Sequence, residues 1–279
     1  MNYTRKIIGA VVVASCMATV GHAQEGLLPL APIPPSGGIV APYFDGYYTN
    51  PDGTYTFSFG YMNRNTEGTI DIPLGPDNFI EPAQYNGMQP THFETMNRGG
   101  FNGRRERGAF SVTVPANFTG DVWWTLRTNG ETTRVPGRTG SVAYQLSHTP
   151  QAAGSLPPLL RVEKNAPLVF GRGPTAMTML RTKVGQPLTL WVDAQDRGDR
   201  EEKFQVNATW IVHQGVAPVT FAPATIRSPS APGGELTTQA TFSQPGEYVI
   251  RVRVDNFTSS DSSFADQCCW SNGFYKVTV

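Results

Sequence analysis

Histidine, cysteine and charge are all scarce in this chain of 279 residues. Four histidines, three cysteines and a charged fraction of 16% leave little material for metal centres or acid–base pairs. Lysine plus arginine (22) balances aspartate plus glutamate (22). A balanced chain lacks the basic face that bulk nucleic-acid binding needs, so no nucleic-acid partner is expected. HExxH, CxxC and GxSxG are all missing, as is a Gly-rich phosphate loop beside a strand–helix pair. Beyond the first residues the histidines are His92, His148 and His213. None has a Cys, His or carboxylate neighbour at a zinc-type spacing. The reading is a non-enzyme without cofactor.

Two further absences bear on fold and compartment. No segment sustains a 3.6-residue apolar period, so little helix is expected. No apolar run reaches the roughly 20 residues of a membrane span. The nearest is Ile7 to Val20, which follows Arg5 and Lys6 and precedes Gly21-His22-Ala23. That order is a secretory signal, with cleavage expected after Ala23. The alternative is a lipid anchor on Cys16, because Val13-Ala14-Ser15-Cys16 resembles a lipobox. Beyond Ala23 only Cys268 and Cys269 remain, and adjacent cysteines cannot tie distant strands together.

What is abundant is Gly (29), Pro (23) and alternation. Ala240 to Val254 carries two period-2 runs about Pro245-Gly246. Ala240 and Phe242 precede the turn; Tyr248, Ile250, Val252 and Val254 follow it, alternating with Glu247, Arg251, Arg253 and Asp255. Such runs read as antiparallel strands with one dry and one wet face. Upstream, Tyr55, Phe57, Phe59 and Tyr61 alternate after an Asn50-Pro51-Asp52-Gly53 turn. A strand with Ile70, Ile72 and Leu74 inward follows, and Asn129-Gly130 marks a second hairpin. Leu188 to Ala194 and Val206 to Val212 add further strands, with Trp210 expected in a core. A last strand is expected at Phe274 to Val279.

The fold class is therefore all-β, two tandem β-sandwich, immunoglobulin-like domains after a signal peptide. The expected division is signal peptide 1–23, a Pro/Gly-rich leader 24–38 that is flexible or of polyproline type, a first sandwich 39–147, a linker 148–157 and a second sandwich 158–279. Phe79 to Arg107 reads as a long irregular loop, a common place for function.

Four groups of residues are candidates for chemistry. Arg98, Phe101, Arg104, Arg105 and Arg107 lie in a Gly-rich segment whose guanidinium forks suit carboxylate, sulfate or phosphate. Tyr47 and Tyr48, with one of Trp123 and Trp124, are candidate exposed aromatics for carbohydrate. Asp193, Asp196 and Asp199 share one loop and are the candidate calcium carboxylates, interleaved with Arg197, Arg200 and Lys203. Cys268 and Cys269 form a candidate vicinal disulfide. His213 reads as a solvent-facing strand residue, and His92 sits in the long loop beside Glu94.

The stretch from Trp210 through Thr241-Phe242-Ser243 to Pro245-Gly246-Glu247-Tyr248 resembles the PKD-like and immunoglobulin-like modules of bacterial exported proteins. The Trp-x-Phe-Gly-Asp-Gly that PKD modules carry from the central Trp is absent; Ile211-Val212-His213-Gln214 follows Trp210 here. Pro42 to Gly46, Gly75 to Asn78 and Cys268 to Trp270 resemble a wider group of exported bacterial proteins. The resemblance implies an exported sandwich protein, periplasmic or extracellular, contacting protein or carbohydrate at the cell envelope; it implies no activity.

Overall fold

The computed structural model describes residues 33–96, 105–146, 156–171, 177–198, 201–256 and 269–279. The protein is all-β, as the alternation predicts. Among the described residues, eight strands build the N-terminal part. They are β1 (Val40–Thr49), β2 (Tyr55–Asn63), β3 (Thr69–Asp71), β4 (Asn78–Glu81), β5 (His92–Glu94), β6 (Arg105–Val114), β7 (Val122–Thr128) and β8 (Glu131–Gly137). They pair as two three-stranded sheets, β1-β2-β6 and β4-β7-β8, with a β3-β5 ribbon. Both turns predicted from sequence form. Gly53 adopts φ +82 within the β1–β2 connection, and Asn129 and Gly130 take φ 50 and 78. Two consecutive positive φ values are what a type I′ hairpin demands.

The first core is aromatic because β2 places Phe57, Phe59 and Tyr61 on one face, all at most 2% exposed. Phe59 stacks on Phe110 at 5.1 Å, and Phe110 meets Trp124 edge-on at 4.8 Å. Aromatic pairs of this kind contribute about 0.5–1.5 kcal/mol each beyond area burial.

The predicted strand through Leu74 is shorter than its sequence suggests. Only Thr69–Asp71 pairs, Ile72 is buried and Leu74 is 40% exposed. The expected irregular loop is instead organised. The Asn78 amide donates to the Ile72 and Pro90 carbonyls at 2.9 and 2.7 Å, tying β4 to both flanking segments, and a 3-10 turn forms at Ala83–Tyr85. A second 3-10 turn spans Val142–Tyr144. Residues 33–38 are docked rather than flexible. Pro34 and Pro35 carbonyls accept from Thr66 and Glu67, and the Asn129 amide donates to Gly37 and Gly38. The rest of the expected leader, and the signal segment, lie outside the described residues.

Ten strands follow. They are β9 (Leu159–Arg161), β10 (Val169–Phe170), β11 (Met177–Arg181), β12 (Leu188–Gln195), β13 (Asn207–Gln214), β14 (Val219–Ala222), β15 (Thr225–Arg227), β16 (Gly233–Phe242), β17 (Glu247–Asp255) and β18 (Trp270–Thr278). One sheet runs β10-β9-β12-β16-β14 and the other β11-β18-β17-β13-β15. Their inner faces meet in a second core of Leu190, Val192, Trp210, Phe242, Tyr248, Ile250 and Val252. Each such fully buried side chain contributes about 1.5–3 kcal/mol.

The strand order is immunoglobulin-like, with short edge strands β14 and β15. Two local features agree with it. Trp210 is buried on the interior strand β13, between β17 and β15, at 2% exposure, and the Tyr248 hydroxyl donates to the Gln244 carbonyl at 2.9 Å. That bond is the tyrosine corner found at the start of the F strand in such sandwiches. It also corrects the reading of Ala240 to Val254. β16 and β17 belong to opposite sheets, so Pro245-Gly246 turns an arch between sheets and not a hairpin within one. Both runs keep an apolar face, and crossing between sheets lets the two faces share one core. Phe242 and Tyr248 meet there at 4.9 Å.

Residues 33–279 form one compact unit containing both cores. Among the described residues no helix is long and apolar enough to cross a membrane.

Candidate functional site

The polar side of β17 was expected to face water. It is buried. Arg251 and Arg253 are each 1% exposed, and Glu106 on β6 is fully buried against them. The local cause is a bulge. Phe59 pairs with Phe110 and Tyr61 with Glu106, so residues 107–109 stand against Gly60 alone. A bulge re-aims the chain, and here it turns Glu106 and the Gly108 carbonyl toward β17 and β18.

The Glu106 carboxylate accepts from Arg251 Nη2, and from Arg253 Nη1 at 3.5 Å. Arg251 Nη1 donates to the Gly108 carbonyl at 2.9 Å, and the Asn272 amide donates to the same oxygen at 2.7 Å. Arg253 Nε lies 3.5 Å from Asp255 and its guanidinium 5.5 Å from the Trp270 ring centre. Two cations thus meet two carboxylates, the condition under which buried charge is tolerated.

Behind this group stands a second pair. Asp45 accepts from Arg105 at 2.7 Å and from the Gly108 N–H at 2.8 Å. Burial pushes the Asp45 carboxyl above its usual range, and the Arg105 charge and the Gly108 N–H work against that. Trp270 fills the space over Gly108, whose φ is +59; a Cβ there would overlap the indole.

His213 closes the other end of the junction and is 2% exposed, not solvent-facing. Its outward face on β13 is covered by the 87–91 segment. Nε2–H donates to the Met88 carbonyl at 2.7 Å, the ring meets Phe274 edge-on at 5.3 Å, and Gln214 donates to Gly87 and Gln89. Burial, then the Arg251 charge, lowers its pKa to about 3, so the ring is neutral. His92 pairs across the β3-β5 ribbon with Asp71 at 2.6 Å. These titratable groups hold polypeptide together.

The remaining candidates separate. Arg98, Phe101 and Arg104 lie outside the described residues. Arg105 is engaged by Asp45 and stacks on Tyr43 at 4.2 Å; Arg107 is half-buried in the bulge. Tyr47 and Tyr48 are not exposed aromatics, each being 7% accessible. A register shift after Phe44 carries Tyr47 into the aromatic core against Tyr55, while Tyr48 is covered by Phe170 from the C-terminal part.

Asp193 pairs with Arg161 at 2.9 Å. Asp196 clamps its own loop, accepting from the Gly198 and Phe204 N–H groups and the Asn256 amide. Both carboxylates are therefore engaged by groups of the protein itself, and Asp199 lies outside the described residues. Cys269 is buried and disulfide-bonded. The chain's other cysteines, Cys16 and Cys268, are outside the described residues, so the vicinal pairing is not on view.

Two tryptophans reach outer sheet faces. Trp124 is core, as period-2 geometry requires of one of the pair, and its indole donates to Asn78. Trp123 faces outward but lies under the Arg134 guanidinium at 4.0 Å. Trp191, on β12, is half-exposed on the sheet face turned away from the second core, and its indole N–H donates to Glu235 at 2.8 Å. Sequence reasoning missed Glu106, Trp191 and the burial of Arg251 and Arg253. The available signal was two arginines within an otherwise apolar strand, in a chain with few charges.

No protein-family model matches the chain, and no curated protein matches it. Among solved structures, the D0-D1 domain of intimin is similar at TM-score 0.27 and 12% identity, covering 86% of this chain and all of that one. The Yersinia pseudotuberculosis adhesin InvE is similar at TM-score 0.25 and 12% identity, covering 87% of this chain and 59% of that one. Domains 4 and 5 of the S-layer protein SbsC are similar at TM-score 0.22 and 15% identity, over 57% and 66%. At these scores the sandwich stands on its strand order, Trp210 and Tyr248.

Proposed function

We propose that the chain is an exported, non-enzymatic binding or structural module of the bacterial cell envelope, acting through its surface on protein or glycan partners. The observation that carries this reading is the junction. Glu106, Arg251, Arg253, Asp45 and His213 are buried, Arg105 is half-buried, and all are committed to one another or to backbone carbonyls and amides. Catalytic groups need access to substrate, and these side chains are turned to the interior. A buried ionic seam instead fixes two cores as one unit, which suits presenting or spacing a surface. Carbohydrate contact through Tyr47 and Tyr48 loses its support, since both are interior.

The test is expression of the full chain with its own leader in a bacterial host, followed by fractionation and intact-mass measurement. Recovery outside the cytoplasm, beginning at Gln24, supports export of a soluble module. A detergent-partitioning form lost on Cys16→Ser would replace that soluble form with a lipid-anchored one. Cytoplasmic retention with an intact leader contradicts export. Turnover of an ester, glycoside or peptide substrate, abolished by one point change, contradicts the non-enzymatic reading.

A further inference from the structure

The outer face of β12, β14 and β16 sets one indole among hydroxyl and amide side chains. Its outward side chains include Thr189 and Trp191 on β12, Glu235, Thr237 and Gln239 on β16, and Thr220 on β14. All are exposed except Trp191, which is half-exposed. Strand pairing sets them in rows: Trp191 lies opposite Thr237, Thr189 opposite Gln239, and Thr220 opposite Thr241. We propose that this face is a binding site for an uncharged polysaccharide, with the Trp191 indole as its stacking platform. The proposal rests on the reading of the chain as a surface-binding module and names the ligand class of that surface.

Three observations point to a polyol. First, the indole is held. Its N–H is committed to Glu235 at 2.8 Å, so the ring keeps one orientation over the sheet. The strand beneath is fixed as well, because the Tyr275 hydroxyl donates to the Trp191 carbonyl at 2.8 Å from the facing sheet. A held ring offers its electron-rich face to the C–H groups of a pyranose without losing much freedom. The Lys164 ammonium lies 5.8 Å from the ring centre, whereas Arg134 covers Trp123 at 4.0 Å. The cation beside Trp191 thus stands farther off than the one that covers Trp123.

Second, the surrounding groups are hydroxyl and amide donors and acceptors. Gln239 donates to Thr189 at 2.9 Å across the strands. Such exposed neutral pairs can exchange their mutual bond for bonds to sugar hydroxyls at small cost.

Third, charge matching selects a neutral partner. Lys164 and Arg161 offset Glu235 and Asp193, the last already paired to Arg161 at 2.9 Å. The face also carries none of the exposed large apolar side chains of the described residues, which are Ile33, Leu74, Val142, Tyr144, Met179, Val184 and Val216. A dry protein interface would want those at its centre. Aromatic ring, neutral polar rows and zero net charge fit a glycan chain lying along the sheet.

The experiment is affinity electrophoresis of the full mature chain through gels containing soluble xylan, glucomannan or laminarin, with pull-down on insoluble cellulose and chitin. At least one of these neutral polysaccharides is expected to retain the protein. Trp191→Ala should weaken that retention at least tenfold, Trp191→Tyr should restore part of it, and Trp123→Ala should leave it unchanged. Thr237→Arg, an exposed change beside the ring, should block binding while melting as the parent does, and so serves if Trp191→Ala fails to fold. No retention by any of the five, or equal retention by the parent and both Trp191→Ala and Thr237→Arg, overturns the site. A chain that binds none yet is still exported and inert toward substrates leaves the module reading standing. Cleavage of a polysaccharide, lost on one point change, would overturn that broader reading instead.

Discussion

Glu106 and Arg251 meet across 145 positions of sequence, with side chains 0% and 1% exposed. One belongs to the aromatic N-terminal part and the other to the outer face of the immunoglobulin-like sandwich. Removing one partner from a buried ion pair strands the other charge, at a typical cost of about 3–5 kcal/mol. Glu106→Gln should destabilise the protein by that order in chemical denaturation. A double-mutant cycle with Arg251→Met should return a coupling energy of about 0.5–3 kcal/mol. Additive single-mutant effects would show that the pair does not couple the two parts.

Gly108 is the close-approach point of the junction. Alanine there meets two penalties: a positive φ, costing about 1–2 kcal/mol for an L-residue, and overlap with the Trp270 indole. Gly108→Ala should lose more than about 2 kcal/mol of stability. In a Trp270→Ala background the penalty should fall to the backbone share alone. Urea titration of the four proteins checks both statements.

His213 gives the junction a pH signature. Its pKa is near 3 in the native state, against about 6.5 unfolded. The unfolded chain therefore binds more protons between those values. His213 contributes its full share of stability above pH 6.5, and that share is lost as pH falls toward 3, by up to about 1.4 kcal/mol per unit. Asp45 acts with opposite sign, since its raised pKa favours the native state as pH falls. The useful quantity is the difference between parent and His213→Gln, in which Asp45 cancels. That difference should shrink from pH 7 to pH 4; a constant difference would show that His213 is not buried neutral.

The tyrosine corner is a smaller term. Tyr248→Phe keeps the ring against Phe242 but removes the bond to Gln244. The expected loss is about 0.5–1.5 kcal/mol. Tyr248→Ala, which opens a cavity, should cost about 3–5 kcal/mol. Thermal melts of both variants separate the hydroxyl from the ring.

How much of this was legible in the sequence follows from which interactions are local. Alternation placed Phe57, Phe59, Trp210, Tyr248 and Val252 in cores, and Asn129-Gly130 fixed a hairpin, because period and turn chemistry are written within a few residues. The same alternation misread Arg251, Arg253 and His213 as solvated. Period 2 says which residues share a face, not whether another part of the chain covers it. Tyr47 and Tyr48 were misread for a related reason: a bulge after Phe44 and the distant Phe170 bury them, and neither is a local signal. The Pro245-Gly246 turn was found but not its topology, since an arch and a hairpin use the same turn residues. Candidate-site residues Arg105, Asp193 and Asp196 proved to have partners far away, at Asp45, Arg161 and Asn256.

The central claim is that the buried seam between Glu106, Arg251 and Arg253 makes two cores one cooperative body. Differential scanning calorimetry of the mature chain tests it most directly. The account predicts a single transition whose calorimetric and van't Hoff enthalpies agree. Two separable transitions, left unmoved relative to each other by Glu106→Gln, would contradict it.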